Sequence, residues 1–76
     1  MKVVPLTALK PGETARVFAV QGAWGAARHL AELGLVPGQL VRVLSAGWGP
    51  VLIEVRGSRI ALGRGLAAKV LVRRSS

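Results

Sequence analysis

A chain of 76 residues has room for one domain with a marginal core, burying roughly 60% of the surface it exposes when unfolded. With 51% of its residues apolar, disorder is excluded, and with no cysteine so are disulfides, thiolate nucleophiles and cysteine metal sites. Eleven Lys and Arg against three Glu give a net charge of +8, which favours an anionic partner: nucleic acid, acidic membrane or an acidic protein surface.

The N-terminal Met1–Thr7 segment is too short for a signal core and is interrupted by Pro5. The longest uncharged stretches contain Gly and Pro and fall short of the ~20 apolar residues that span a bilayer. A cytoplasmic protein without a membrane span is expected. A repeat begins at Leu9: Leu9-Lys10-Pro11-Gly12-Glu13-Thr14-Ala15-Arg16-Val17 returns as Leu35-Val36-Pro37-Gly38-Gln39-Leu40-Val41-Arg42-Val43. Pro11-Gly12 and Pro37-Gly38 suit the centre of type II turns, since proline presets φ and glycine tolerates positive φ. Each turn launches a strand. In the first, Ala15, Val17 and Ala19 form the inward set by period-2 alternation.

From Ala23 to Gly34 the period changes. Ala23, Ala26, Ala27, Leu30 and Leu33 fall on one arc at helical spacing, with Arg28 and Glu32 opposite. Gly34 stands where a C-cap glycine belongs, and Pro37 prevents continuation. This predicts one short helix across a mouth of the sheet. Strands follow at Val41–Val43, at Val51–Arg56, at Arg59–Leu62 after a Gly57-Ser58 hairpin turn, and at Lys69–Arg73. A second helical turn is expected over Gly63–Ala68, weakened by its glycines. Five short strands around one helix predict a mainly β fold, a small closed or partly open barrel forming a single domain over residues 1–76. The last few residues are expected to be unstructured.

Catalysis is not expected. There is no Asp, Tyr or Cys, the single His29 has no serine on a glycine-flanked elbow, and Glu13, Glu32 and Glu54 lie far apart. His29 and Glu32 at i,i+3 could reach one cation, but two ligands make too poor a set, so no metal ligand is assigned. Gly47-Trp48-Gly49-Pro50 and Gly63-Arg64-Gly65 lack the lysine of a nucleotide loop and read as turns, and no cofactor is expected. Trp48 reads as a lid on the barrel. Trp24 reads equally as a cap on the barrel core and as a contact anchor, since Trp and Arg dominate interface hot spots; Trp24, Arg28 and His29 would form one strip, which is the candidate partner face.

Arranged in order, Leu9-x-Pro11-Gly12, Arg28-x-Leu30-x-Glu32-Leu33-Gly34-Leu35-x-Pro37-Gly38, Gly49-Pro50, Gly57-x-x-Ile60-Ala61-Leu62 and Ala67-x-x-Val70-x-Val72 resemble the FeoA domain over nearly the whole chain. The resemblance implies an SH3-like barrel of about five strands, with the helix between the first two barrel strands. FeoA domains occur free-standing in bacterial ferrous iron uptake and at the C-terminus of iron- and manganese-responsive repressors. With no helix-turn-helix ahead of it, this chain resembles the free-standing form. A non-enzymatic accessory that contacts the cytosolic region of the FeoB membrane GTPase and permease is implied, along with a family label of transition metal ion binding. The alternative is a basic SH3-like barrel binding RNA or DNA, against which stands the shortage of aromatics: Phe18, Trp24 and Trp48 are not paired on one strand to stack bases. Self-association through edge strands into a homo-oligomer is a third reading, discouraged by the alternating arginines.

Overall fold

The computed structural model describes residues 2–22 and 24–75. Strand β1 (Val3–Pro5) leads through a 3-10 turn (Leu6–Ala8) to β2 (Thr14–Val20) and helix α1 (Trp24–Glu32). Then come β3 (Leu40–Ser45), β4 (Val51–Val55), β5 (Ser58–Leu62), the short α2 (Arg64–Ala67) and β6 (Val70–Arg74). The strands form one antiparallel sheet in the order β1-β6-β2-β3-β4-β5. Side chains from all six strands meet in one core, with Leu6, Leu9, Leu30, Leu35 and Ala67 filling it from the connections. No polar or charged residue is buried among those described.

Six strands stand where about five are expected. The addition is β1, whose three residues are too few to display alternation; it is an edge strand held by β6, with Pro5 at its end, where a missing N–H costs no ladder bond.

The internal repeat has a structural meaning. Both Pro-Gly pairs sit in turns closed by i→i+3 bonds, Glu13 N–H to Lys10 C=O at 3.0 Å and Gln39 N–H to Val36 C=O at 3.0 Å. Gly12 and Gly38 hold φ of 90° and 92°, as a type II turn requires. The two copies then bond to each other reciprocally. The Gly12 N–H donates to Val43 C=O and the Gly38 N–H to Val17 C=O, both at 2.7 Å; Val43 N–H donates to Glu13 C=O and Val17 N–H to Gln39 C=O. Between these closures Thr14, Ala15 and Arg16 pair with Arg42, Val41 and Leu40, a register symmetric about the Ala15–Val41 pair. The repeat is thus a local two-fold: each copy's turn clamps the end of the other's strand.

The symmetry extends to bulges. The β2–β6 register slips between Val17 and Ala19, and the β3–β4 register slips at the equivalent place, between Val43 and Ser45. Phe18 and Leu44 are the extra residues. An inserted residue reverses the side-chain phase, so Val20 packs against the core opposite Val70 while Ala19 pairs with Leu71. This corrects the expectation that Ala19 points inward: strict alternation cannot register a bulge.

Helix α1 ends where Gly34 predicts. Leu35 N–H bonds to Leu30 C=O and Gly34 N–H to Ala31 C=O, both at 2.9 Å, with Gly34 at φ 98°. This pair of bonds is the Schellman cap, and its customary hydrophobic partners, Leu30 and Leu35, are both in the core. A Cβ on Gly34 would meet Arg56 Cδ at 3.0 Å.

The β4–β5 turn lies one residue earlier than Gly57-Ser58. Ser58 pairs with Val55, so Arg56 and Gly57 form the loop at φ 54° and 80°, as in a type I′ turn. Arginine gives no sequence signal for positive φ, which is why the turn was misplaced. A left-handed conformation costs a non-glycine residue about 1–2 kcal/mol, less for Asn. Arg56→Asn is therefore expected to stabilise the protein by about 1 kcal/mol, read as a higher urea midpoint. A lower midpoint would mean that the arginine stem lying over Gly34 outweighs the backbone cost.

Candidate functional site

Of the expected partner strip, Arg28 and His29 are exposed on α1. At 3.6 residues per turn Arg28 lies roughly opposite the buried Leu30, and His29 a quarter turn from it. Trp24 opens the helix one turn before Arg28, but its side chain, like Ala23, lies outside the described residues. Pro11, Gly12, Gly34, Pro37 and Gly38 lie in the two turns and the helix cap described above. Glu32, like His29, is exposed, and among the described residues no three His, Cys, Asp or Glu side chains group as a metal site would need. Also among the described residues, no helix is long and apolar enough to cross a membrane.

Trp48 is no lid. It stands fully exposed in the loop between β3 and β4, whose Gly47 C=O accepts a bond from Arg64 Nη1 at the start of α2.

A second surface was not legible in the sequence. Arg73, Arg16 and Leu40 are register partners across β6, β2 and β3, which places their exposed side chains in one outward row. The bulge adds Phe18, 43% exposed, and the Arg73 guanidinium lies over its ring at 4.5 Å from the centroid, a cation–π distance. The second Pro-Gly turn closes one side, with Arg16 Nη1 donating to Gly38 C=O at 3.0 Å. The result is an open groove of about 630 Å³ along Phe18, Pro37, Leu40 and Arg73. Alternation from Arg16 already turns Phe18 outward, but which strand stands beside it is set by the pairing, which the local sequence does not announce.

Glu13 has a structural task that sequence reading missed. Its carboxylate accepts the Lys10 N–H at 2.7 Å and the Arg74 Nε–H at 3.2 Å, while Arg74 Nη2 donates to Ala8 C=O. The first Pro-Gly turn is thereby tied to the end of β6. The Lys10 amide bond is the main cause holding the Glu13 carboxyl below its ordinary value; desolvation opposes it, and the Arg74 charge and hydrogen bond then add to the lowering. A lowered folded-state value means that the ionised form is preferred by the fold. Its stabilisation is present above the unfolded carboxylate range and disappears as pH falls through the folded value. Glu13→Gln should therefore lower the urea midpoint at neutral pH. The gap from the native protein should close on acidification, and a gap independent of pH would remove the carboxylate from the account.

The FeoA domain family model matches residues 4–74. The chain belongs to the FeoA family. A Methanocaldococcus jannaschii protein described as a candidate Fe(2+) transport protein A is 40% identical over 68 residues, covering 90% of this chain and 83% of that one. The crystal structure of an iron uptake regulatory protein, FeoA, superposes with a TM-score of 0.90 at 40% identity, over 97% of this chain and 99% of that one. Stenotrophomonas maltophilia FeoA complexed with zinc, described as a prokaryotic SH3 domain protein, superposes with a TM-score of 0.83 at 36% identity, over 92% and 89% of the two chains. The six-stranded sheet is therefore the SH3-like barrel of FeoA proteins, and the family places this chain as an accessory of ferrous iron transport.

Proposed function

We propose that this FeoA protein acts in the cytoplasm without catalysis, by docking on the cytosolic region of an FeoB-type iron permease. The observation that carries the reading is the family match from residue 4 to 74, shared with a relative described as a candidate Fe(2+) transport protein A. The net charge of +8 supports it, because a basic field steers encounter with an acidic surface. So does helix α1, which holds Arg28 and His29 outward on a helix pinned by Leu30. The docking face in this reading is Trp24, Arg28 and His29.

The test is titration of the purified cytosolic FeoB domain with this protein at low and at physiological salt. Saturable binding that survives physiological salt is expected, weakened by about 2 kcal/mol or more in Trp24→Ala and less in Arg28→Ala. Unchanged affinity in both variants would move the docking face elsewhere. Tight RNA binding that falls steeply with salt, without FeoB binding, would replace the reading with the nucleic-acid one.

A further inference from the structure

The local two-fold builds two equivalent positions on the outer face of the sheet, and the chain has furnished them differently. At one, the bulge residue is Phe18, 43% exposed, and the residue after the facing turn is Leu40, 42% exposed. At the other, the bulge residue is Leu44, half-buried, and the residues after the turn are Glu13 and Thr14. The equivalent row there is Thr14, Arg42 and Glu54 across β2, β3 and β4, so an acid stands where the first copy has Arg73. The apolar copy is the larger groove, and none of the residues lining it is acidic. Symmetry accounts for both bulges and both turns. It accounts as well for Arg16, whose counterpart is Arg42, but not for Phe18, Leu40 and Arg73, whose counterparts are Leu44, Thr14 and Glu54.

We infer that the groove bounded by Phe18, Pro37 and Leu40, with Arg16 and Arg73 on its rim, is a docking site for an acidic peptide segment carrying an apolar anchor. Charge complementarity names the occupant. Arg73 stands over Phe18 and Arg16 is bonded to a neutral carbonyl, so both remain cationic beside exposed apolar surface. A carboxylate on a peptide can bond either guanidinium as a charge-assisted pair. Its apolar side chain would cover Phe18 and Leu40, which this chain leaves half in water. Arg74 contributes less, because Glu13 already engages it. This inference goes beyond the docking reading above, since the groove lies on a different face from the α1 strip.

The experiment is an amide-resolved NMR titration of the whole chain at physiological salt. The probe is a short synthetic peptide with one phenylalanine flanked by aspartate and glutamate. Control peptides replace the phenylalanine by glycine, or the acids by their amides. The expected result is saturable binding of the first peptide only, with shifts at the Phe18, Leu40 and Arg73 amides and none at Leu44. Phe18→Ala and Arg73→Gln should each weaken it by about tenfold or more while spectral dispersion is retained. Equal binding of the glycine control, or shifts confined to α1, would overturn the proposal. So would oligouridine RNA saturating the groove without any peptide response. The cytosolic FeoB domain, titrated in parallel, separates the two readings. Peptide in the groove with no FeoB binding sinks the iron-permease partner and leaves the groove. FeoB bound through α1, with the groove silent to peptide, does the reverse.

Discussion

Leu30→Ala should remove about 2–5 kcal/mol of stability, the usual cost of deleting a leucine side chain from a closed core. At ~0.05–0.15 kcal/mol per residue, a chain of this length has roughly 4–11 kcal/mol in total, so this one change takes a large share. The size of the effect comes from two roles meeting in one residue. Leu30 is completely buried and, among the described residues of α1, is the one in the core. Its carbonyl also receives the Leu35 amide that closes the cap. A helix of nine residues has too few turns to persist unsupported, so α1 depends on this anchor. Urea denaturation should show the midpoint falling with little change in slope. Amide exchange should rise first across Trp24–Glu32. A loss below about 1 kcal/mol would mean that the neighbouring core collapses into the space.

The same variant also separates the two surfaces. If FeoB docks on Trp24, Arg28 and His29, loosening α1 must weaken that contact. The groove at Phe18 is built on β2, β3 and β6 and should keep its peptide affinity under conditions where the variant remains folded.

What the sequence disclosed, and what it hid, divides along physical lines. The Pro-Gly turns, the Gly34 cap and the inward valines of β3, β4 and β6 were legible because each is decided by neighbours in the chain. Leu30 and Leu35 were legible as apolar residues, though their meeting across the cap is a geometric fact of the Schellman bond pair. The repeat was visible too, but its reciprocal bonding was not, since two copies of a motif say nothing about whether they pair with each other. Three features stayed hidden for one common reason. The bulge at Phe18, the positive φ at Arg56 and the Glu13–Arg74 link between residues far apart in sequence are settled by the partner strand, not by local preference. Strict alternation makes Phe18 an outward aromatic, and only the strand pairing places it beside Arg73 and opposite the second turn. Trp48 was misjudged differently, since a tryptophan between glycines has no spacing pattern to place it, and the structure leaves it in water.

Leu6→Ala tests the part of the fold that alternation could not see. Leu6 is completely buried in the 3-10 turn after β1, with its carbonyl accepting the Leu9 amide at 3.1 Å. That turn touches β6 and α2, so Leu6 joins the edge strand, the last strand and the short helix in one core. Truncation should cost about 2–5 kcal/mol, comparable to Leu30→Ala although the residue precedes the first stretch of the sequence that shows alternation. The spatial distribution of the loss should differ. Strand β1 has three residues and one neighbour, held at Val3–Arg73, Val4–Val72 and Pro5–Leu71, so its amides should lose protection before those of β3 and β4. Lys2→Ala, at an exposed position beside the same strand, is the control and should change stability by no more than about 0.5 kcal/mol. A near-neutral Leu6→Ala would show that β1 and its turn are an appendage, and that the barrel is complete from Leu9 onward. A large loss with early exchange at β1 would make the N-terminal strand a working member of the sheet. The backbone of Arg73, and with it one wall of the Phe18 groove, would then depend on a segment that precedes the first copy of the repeat.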